Sequence, residues 1–202
     1  MKRFVLMALL LLMLPLAAFA DNSVDFGNVG GTLKGTDAGL TLTGSTLTSV
    51  KGLFGGGLVT GNLGSVSFTT GALISGSLKM GGTFAAGGTF TVMGNGHNGI
   101  PKGVLFSGTF STPVVWTLVT LPDGTHSYTL TGTLSGTLIP GYSTTGVTIQ
   151  LTINTGKGYF DGKVKLASGD TSIVVPEPGT LGLLGTGLLG IAGLVRRKMR
   201  RT

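Results

Sequence analysis

Val147, Ile149, Leu151 and Ile153 alternate with Thr148, Gln150, Thr152 and Asn154. A two-residue period of this kind puts one face of an extended strand in a core and the other in water. The same period recurs through much of the stretch from Asp21 to Val175. Tyr128, Leu130, Leu134 and Leu138 share a face, with Gly132 and Gly136 in register between them. Val104, Phe106 and Phe110 form a similar row, as do Ile74, Leu78 and Met80 with Gly76. Phe160, Val164 and Leu166 alternate with Tyr159, Asp161, Lys163 and Lys165. The Val114–Val119 run is apolar on both faces, which predicts a central strand with Trp116 in the core.

Helix-favouring Glu, Gln and Arg are nearly absent from this stretch, while Gly, Thr and β-branched residues dominate. The residues Leu121-Pro122-Asp123-Gly124 predict a hairpin turn. Glycines inside strands are expected at bulges, bends or close approaches. The body is therefore all-β, with an antiparallel β-sandwich or partly open barrel as the expected fold and a β-solenoid as second choice. Within the body, Gly-Thr-Leu/Phe triplets start at Gly31, Gly82, Gly88, Gly108, Gly132 and Gly136. Their separations are irregular, whereas a solenoid shows a fixed period.

The stretch is long enough for one domain with its own core. The chain has no cysteine, so packing and backbone pairing replace disulfides. Its chemistry is sparse. His97 lies in the polar run Gly94-Asn95-Gly96-His97-Asn98-Gly99, and His126 follows the Pro-Asp-Gly turn. Neither has a partner at metal-ligand spacing. No Gly-x-Ser-x-Gly elbow with triad partners is apparent. Gly55-Gly56-Gly57 precedes no Lys-Ser/Thr pair, and acidic clusters of calcium-loop form are missing. The expectation is a non-enzymatic body with no catalytic, cofactor or metal residues. Thr-x-Thr pairs (Thr41/Thr43, Thr46/Thr48, Thr89/Thr91, Thr129/Thr131) allow a carbohydrate- or ice-binding face if rows align between strands.

Both ends read as addresses. Met1-Lys2-Arg3 precedes an apolar run from Phe4, and Ala18-Phe19-Ala20 supplies small residues at −3 and −1. This predicts a secretory signal peptide over 1–20, handled by the Sec translocon and cut by signal peptidase between Ala20 and Asp21. An uncleaved membrane helix fits less well, because the run is short. At the other end Thr180 to Val195 is uncharged and apolar. As a helix it is roughly 24 Å long. That is short for a hydrocarbon core of about 30 Å, which a thin bilayer and snorkelling basic residues would accommodate. Arg196, Arg197, Lys198, Arg200 and Arg201 follow and predict a cytoplasmic basic anchor with the body outside. Gly182, Thr186 and Gly190 put small residues on one helix face. They permit close helix packing or simply reflect a glycine-rich chain.

Charge divides the same way. The net +7 is concentrated at the ends, for between Asp21 and Val175 seven Lys face six Asp and there is no Arg. The basicity belongs to targeting segments, and no nucleic-acid partner is expected.

Between body and apolar run stand Pro176, Glu177 and Pro178. Two prolines around one acid hold the backbone extended, as a processing enzyme or a stiff linker requires. The order Pro-Glu-Pro, Gly/Leu-rich apolar helix (180–195) and Arg-rich tail (196–202) resembles the PEP-CTERM sorting signal of Gram-negative bacteria. That segment is also known as an ice-binding protein C-terminal domain. The resemblance covers 175–202. It implies recognition and cutting near the motif by exosortase, a membrane Cys-dependent transpeptidase-like enzyme. It also implies producers of exopolysaccharide and biofilm. The expected organisation is a signal helix, an exported β domain over 21–174 and the sorting signal. The protein is expected to be anchored in the inner membrane, transiently or permanently, then at the cell surface or in the extracellular matrix. The expected role is structural or adhesive, in association with exopolysaccharide; the alternative is an anchored carbohydrate- or ice-binding module.

Overall fold

Thirteen strands carry the alternation seen in the sequence. They are β1 (Ser23–Val29), β2 (Thr32–Thr36), β3 (Gly39–Lys51), β4 (Val59–Thr69), β5 (Leu73–Ser77), β6 (Gly81–Phe84) and β7 (Gly87–Asn95). There follow β8 (Lys102–Phe110), β9 (Val114–Thr120), β10 (His126–Leu138), β11 (Tyr142–Gly156), β12 (Lys163–Lys165) and β13 (Ser168–Val174). A one-turn 3-10 element, Leu53–Gly55, lies between β3 and β4. The structure is a computed structural model and describes residues 23–139 and 142–174. The expected signal helix, cleavage site, sorting motif, transmembrane helix and basic tail lie outside the described residues. Among the described residues no helix is long and apolar enough to cross a membrane.

All strand pairs are antiparallel, and the path β11-β13-β1-β3-β4-β7-β8-β10 returns to its start through a β10–β11 ladder. Eight strands thus close into a barrel. Closure removes the free edges that an open sheet would expose. Of the expected architectures the barrel is the one that forms, and it is closed rather than partly open. The solenoid is ruled out as the body's fold by these antiparallel ladders. Two long strands branch at one end. The N-terminal half of β3 pairs with β2, which pairs with β12, while its C-terminal half pairs with β1. The N-terminal half of β10 pairs with β9, and β6 and β5 extend the sheet from there.

The core follows from the inward-facing residues. Phe68, Phe90, Phe106 and Phe110 meet with ring centroids 6.0–6.4 Å apart, as edge-to-face, tilted and offset pairs. Under the branch, Trp116, Tyr128 and Phe160 form a second aromatic group. The Gly-Thr-Leu/Phe triplets explain themselves here: each ends in a buried plug, namely Leu33, Phe84, Phe90, Phe110, Leu134 or Leu138. Gly136 and Gly108 are register partners, and the Phe106 ring occupies the space a Cβ on either would need.

Three expected apolar rows behave differently. Val104 is exposed while Phe106 is buried, because the β7–β8 register shifts between Val92 and Met93 and reverses the inward parity. Ile74 and Met80 are exposed because they lie on the terminal β5–β6 hairpin, where nothing packs on the outer face; only Leu78 turns partly inward. β9 is flanked by β6 and β10, yet it buries only one face: Val114 and Trp116 point inward, Val115 and Val119 outward. The hairpin at Leu121–Gly124 forms as expected, with Gly124 N–H donating to Leu121 O at 2.9 Å and Gly124 at φ 80°.

Antiparallel order places the strand ends at two rims. One rim collects the start of β1, the β3–β4 loop, the β7–β8 loop, the β10–β11 connection and the end of β13. We call it the terminal rim, since Ser23 and Val174 are register partners there. The other, branched rim carries the β9–β10 hairpin and the residues between β11 and β12.

Candidate functional site

The outer wall over β9, β10, β11 and β13 holds a concavity. Strand register aligns its residues in rows. Val115 pairs with Thr131, Thr131 with Gln150, and Gln150 with Asp170. One row over, Thr133 pairs with Thr148 and Thr148 with Ser172. With Thr112, Pro113, Gly132 and Ile149 these residues line a groove of about 470 Å³. At its polar end Ser172 donates to Asp25 Oδ1 at 2.6 Å. Partial burial, chiefly, and the neighbouring Asp25 carboxylate push the Asp170 carboxyl above its ordinary value. A third row, Thr117–Thr129–Thr152–Ser168, runs parallel and outside the groove. Hydroxyls, an amide and a carboxylate beside the apolar Pro113 and Val115 form a surface suited to hydrogen-bonding a hydroxyl-rich ligand along its edge while seating its C–H face.

None of Asp25, Gln150, Asp170 or Ser172 stands out in the sequence as a site residue. Parity marks Gln150 as outward, but only the register between distant strands brings it beside Asp170. Of the Thr-x-Thr pairs, Thr129/Thr131 enters this wall, with Thr131 in the groove and Thr129 in the outer row. Thr69 and Thr89 form a separate hydroxyl contact at 3.1 Å across β4 and β7.

The two histidines do not come together. His97 sits in the exposed β7–β8 loop at the terminal rim. His126 begins β10 at the branched rim, buried, with Nδ1 3.1 Å from Thr120 Oγ1 and its ring 4.1 Å from that of Tyr159. Lys79 Nζ lies 4.8 Å from the Tyr159 centroid, so ring stacking and a cation–π contact occupy this corner. Among the described residues no three His, Cys, Asp or Glu side chains are grouped to hold a metal.

Pro176, Glu177, Pro178, the small residues Gly182, Thr186 and Gly190, the basic cluster and Ala18, Ala20 and Asp21 all lie outside the described residues. What the structure gives is their point of attachment. β13 pairs with β11 as far as Ser172 and with β1 as far as Val174, the last described residue before the sorting segment.

The last strand of the barrel ends at Val174, and in the sequence Pro176-Glu177-Pro178 follow it directly. The family model described as the PEP-CTERM protein-sorting motif matches residues 174–198, so the chain carries that signal. The motif marks an exported protein with a C-terminal sorting signal and implies exosortase as its processing partner. Comparison with curated proteins and with solved structures returns no significant match.

Proposed function

We propose that this chain is a non-enzymatic surface or matrix protein, delivered through exosortase and retained among extracellular polysaccharide as a structural or adhesive element. The observation that carries the reading is the junction at residue 174, where the closed barrel ends and the sorting motif begins. A cut near Pro176–Pro178 frees or transfers a body that needs nothing beyond β13. The hydroxyl-rich outer wall supports an adhesive role. Deleting Pro176–Pro178 in the producing bacterium and mapping the mature C-terminus by mass spectrometry tests the sorting claim. Accumulation of unprocessed chain is expected; unchanged processing overturns it.

The wall groove favours a second reading within the same setting, a carbohydrate-binding module. Gln150 and Asp170 would engage sugar hydroxyls, with Pro113 and Val115 under a ring face. Affinity electrophoresis through the producer's own exopolysaccharide, comparing the unaltered chain with a Gln150→Ala/Asp170→Ala variant, separates the two. Equal mobility of both assigns the retention to something other than the groove. The ice-binding variant of this reading is decided by thermal hysteresis.

A further inference from the structure

The terminal rim carries an apolar display that the barrel itself does not use. Between β3 and β4 the chain reads Gly52-Leu53-Phe54-Gly55-Gly56-Gly57-Leu58. Leu53 turns into the core, while Phe54 and Leu58 are 63% and 64% exposed, the two most exposed large hydrophobic side chains among the described residues. Phe54 sits at φ 54°, a left-handed conformation that a bulky residue adopts at a cost. Leu53, its neighbour, already takes the buried position of this loop.

This loop lies beside the chain ends. Asp25 pairs with Lys51, and Gly52 packs so closely on the Ser23 carbonyl that a side chain there would collide with it. The β7–β8 loop is tied to the same region. Asn98 Nδ2 donates to Thr60 O at 3.3 Å and Asn95 Nδ2 to Asn62 O at 2.8 Å. Exposed Met93 and Val104, register partners next to that loop, add apolar surface. Lys51 and Lys102 add positive charge, offset in part by Asp25 opposite Lys51.

Chain length supplies the occupant. Five residues, 175–179, separate Val174 from the apolar run that opens at Thr180. Fully extended they reach at most about 20 Å. If 180–195 enters a bilayer, Val174 on the terminal rim is held within that distance of the lipid surface, and Ser23 stands next to Val174. Exposed Phe and Leu beside lysines match what an anionic membrane interface binds.

We propose that the terminal rim docks on the lipid surface, with Phe54 and Leu58 inserted among the headgroups while the chain is anchored. The inference rests on the reading that the C-terminal segment holds the chain at the membrane. It adds an orientation: the branched rim points away from the bilayer, and the groove on the outer wall stays clear of the lipid.

The absence of cysteine makes the test direct. Phe54→Cys, Leu58→Cys and, at the opposite rim, Leu121→Cys are made in the full chain. Each is labelled with an environment-sensitive fluorophore and reconstituted into phosphatidylethanolamine–phosphatidylglycerol vesicles carrying lipid-bound nitroxide quencher. Quenching at positions 54 and 58 at least about twofold above that at 121 is the expected result, because only the inserted side chains reach headgroup depth. Equal quenching at all three positions overturns the docking. So does shielding of 54 and 58 from both soluble iodide and the lipid quencher, which would assign the rim to a protein partner or a second copy. Flotation after a carbonate wash reads the anchor separately. A chain that floats with unquenched rim labels defeats the docking alone, and a chain that fails to float defeats the anchor reading and the docking with it.

Discussion

Trp116 and Tyr128 lie face to face, ring centroids 4.8 Å apart at 15°, and donate to successive carbonyls of one turn. Trp116 Nε1 donates to Leu78 O at 2.8 Å and the Tyr128 hydroxyl to Lys79 O at 2.6 Å. The same hydroxyl accepts from the Phe160 N–H at 3.0 Å. The pair therefore pins the β5–β6 turn on one side and the segment before β12 on the other, beneath the branched end of the barrel.

Tyr128→Phe keeps the stack and removes one oxygen, leaving the Lys79 carbonyl and the buried Phe160 amide without this partner. The expected loss is about 1–3 kcal/mol in urea denaturation, the cost of an unsatisfied buried group. Amide exchange should speed up first at Phe160. A loss confined to a few tenths of a kcal/mol, with Phe160 still protected, would mean the hydroxyl is not the clasp.

The glycines inside β10 make a second test. A Cβ on Gly136 would meet the Ser107 carbonyl oxygen and, at 2.8 Å, the Phe106 ring; one on Gly132 would lie 2.9 Å from the Phe110 ring. Gly136→Ala overfills a closed core and should destabilise by about 1–3 kcal/mol. Gly57→Ala, in open space without a left-handed φ, should stay within about 0.5 kcal/mol. Matching midpoints for the two variants in thermal melts would contradict the role given to the inward glycines.

Much of this was legible in the chain. Period-two alternation gives β10 and β11 with their correct buried faces, since each strand's parity is a local property. Parity fails where a neighbour forces a bulge, as at Val104, or where no neighbour covers the face, as at Ile74 and Val115. Barrel closure was not legible. It depends on the β10–β11 and β13–β1 ladders forming in one object, and the latter pairs residues at opposite ends of the body. The groove was hidden for the same reason, because Gln150 and Asp170 belong to strands separated by the whole β12 excursion. The sorting motif was the reverse case, readable because Pro176, Glu177 and Pro178 act as linear sequence.

The Asp170 carboxyl titrates above its ordinary value, chiefly through burial and then through Asp25. A carboxyl whose folded value exceeds its unfolded one favours the fold while protonated. That contribution is complete below the unfolded value near 3.9 and is lost as pH rises through the raised folded value. At neutral pH the charge therefore works against the barrel. Asp170→Asn should raise the melting midpoint at pH 7 and flatten its dependence as pH rises above the ordinary carboxylate range. Solvent screening at this open site keeps the gain below about 1 kcal/mol. A lower midpoint at pH 7 would show that the carboxylate is a net stabilising partner.

Ring closure makes the last strand decisive for folding. β13 supplies one ladder to β1, from Ser23↔Val174 to Val29↔Ser168, and a second to β11, from Thr148↔Ser172 to Thr152↔Ser168. Its Ile173 belongs to the core and its Thr171 is buried beside it. Stopping the exported chain after Ala167 deletes both ladders and leaves β1 and β11 as facing open edges, the arrangement that invites intermolecular pairing. Such a chain should lose its cooperative melt, become protease-sensitive and aggregate on export. A chain stopped after Val175 should melt like the full-length body, because the whole barrel has been made. Limited proteolysis with size-exclusion chromatography distinguishes these outcomes. A folded, monomeric product from the shorter chain would show that the barrel does not depend on closure. The longer chain mimics the product of a cut near Pro176–Pro178, so its stability decides whether processing there can release an intact domain.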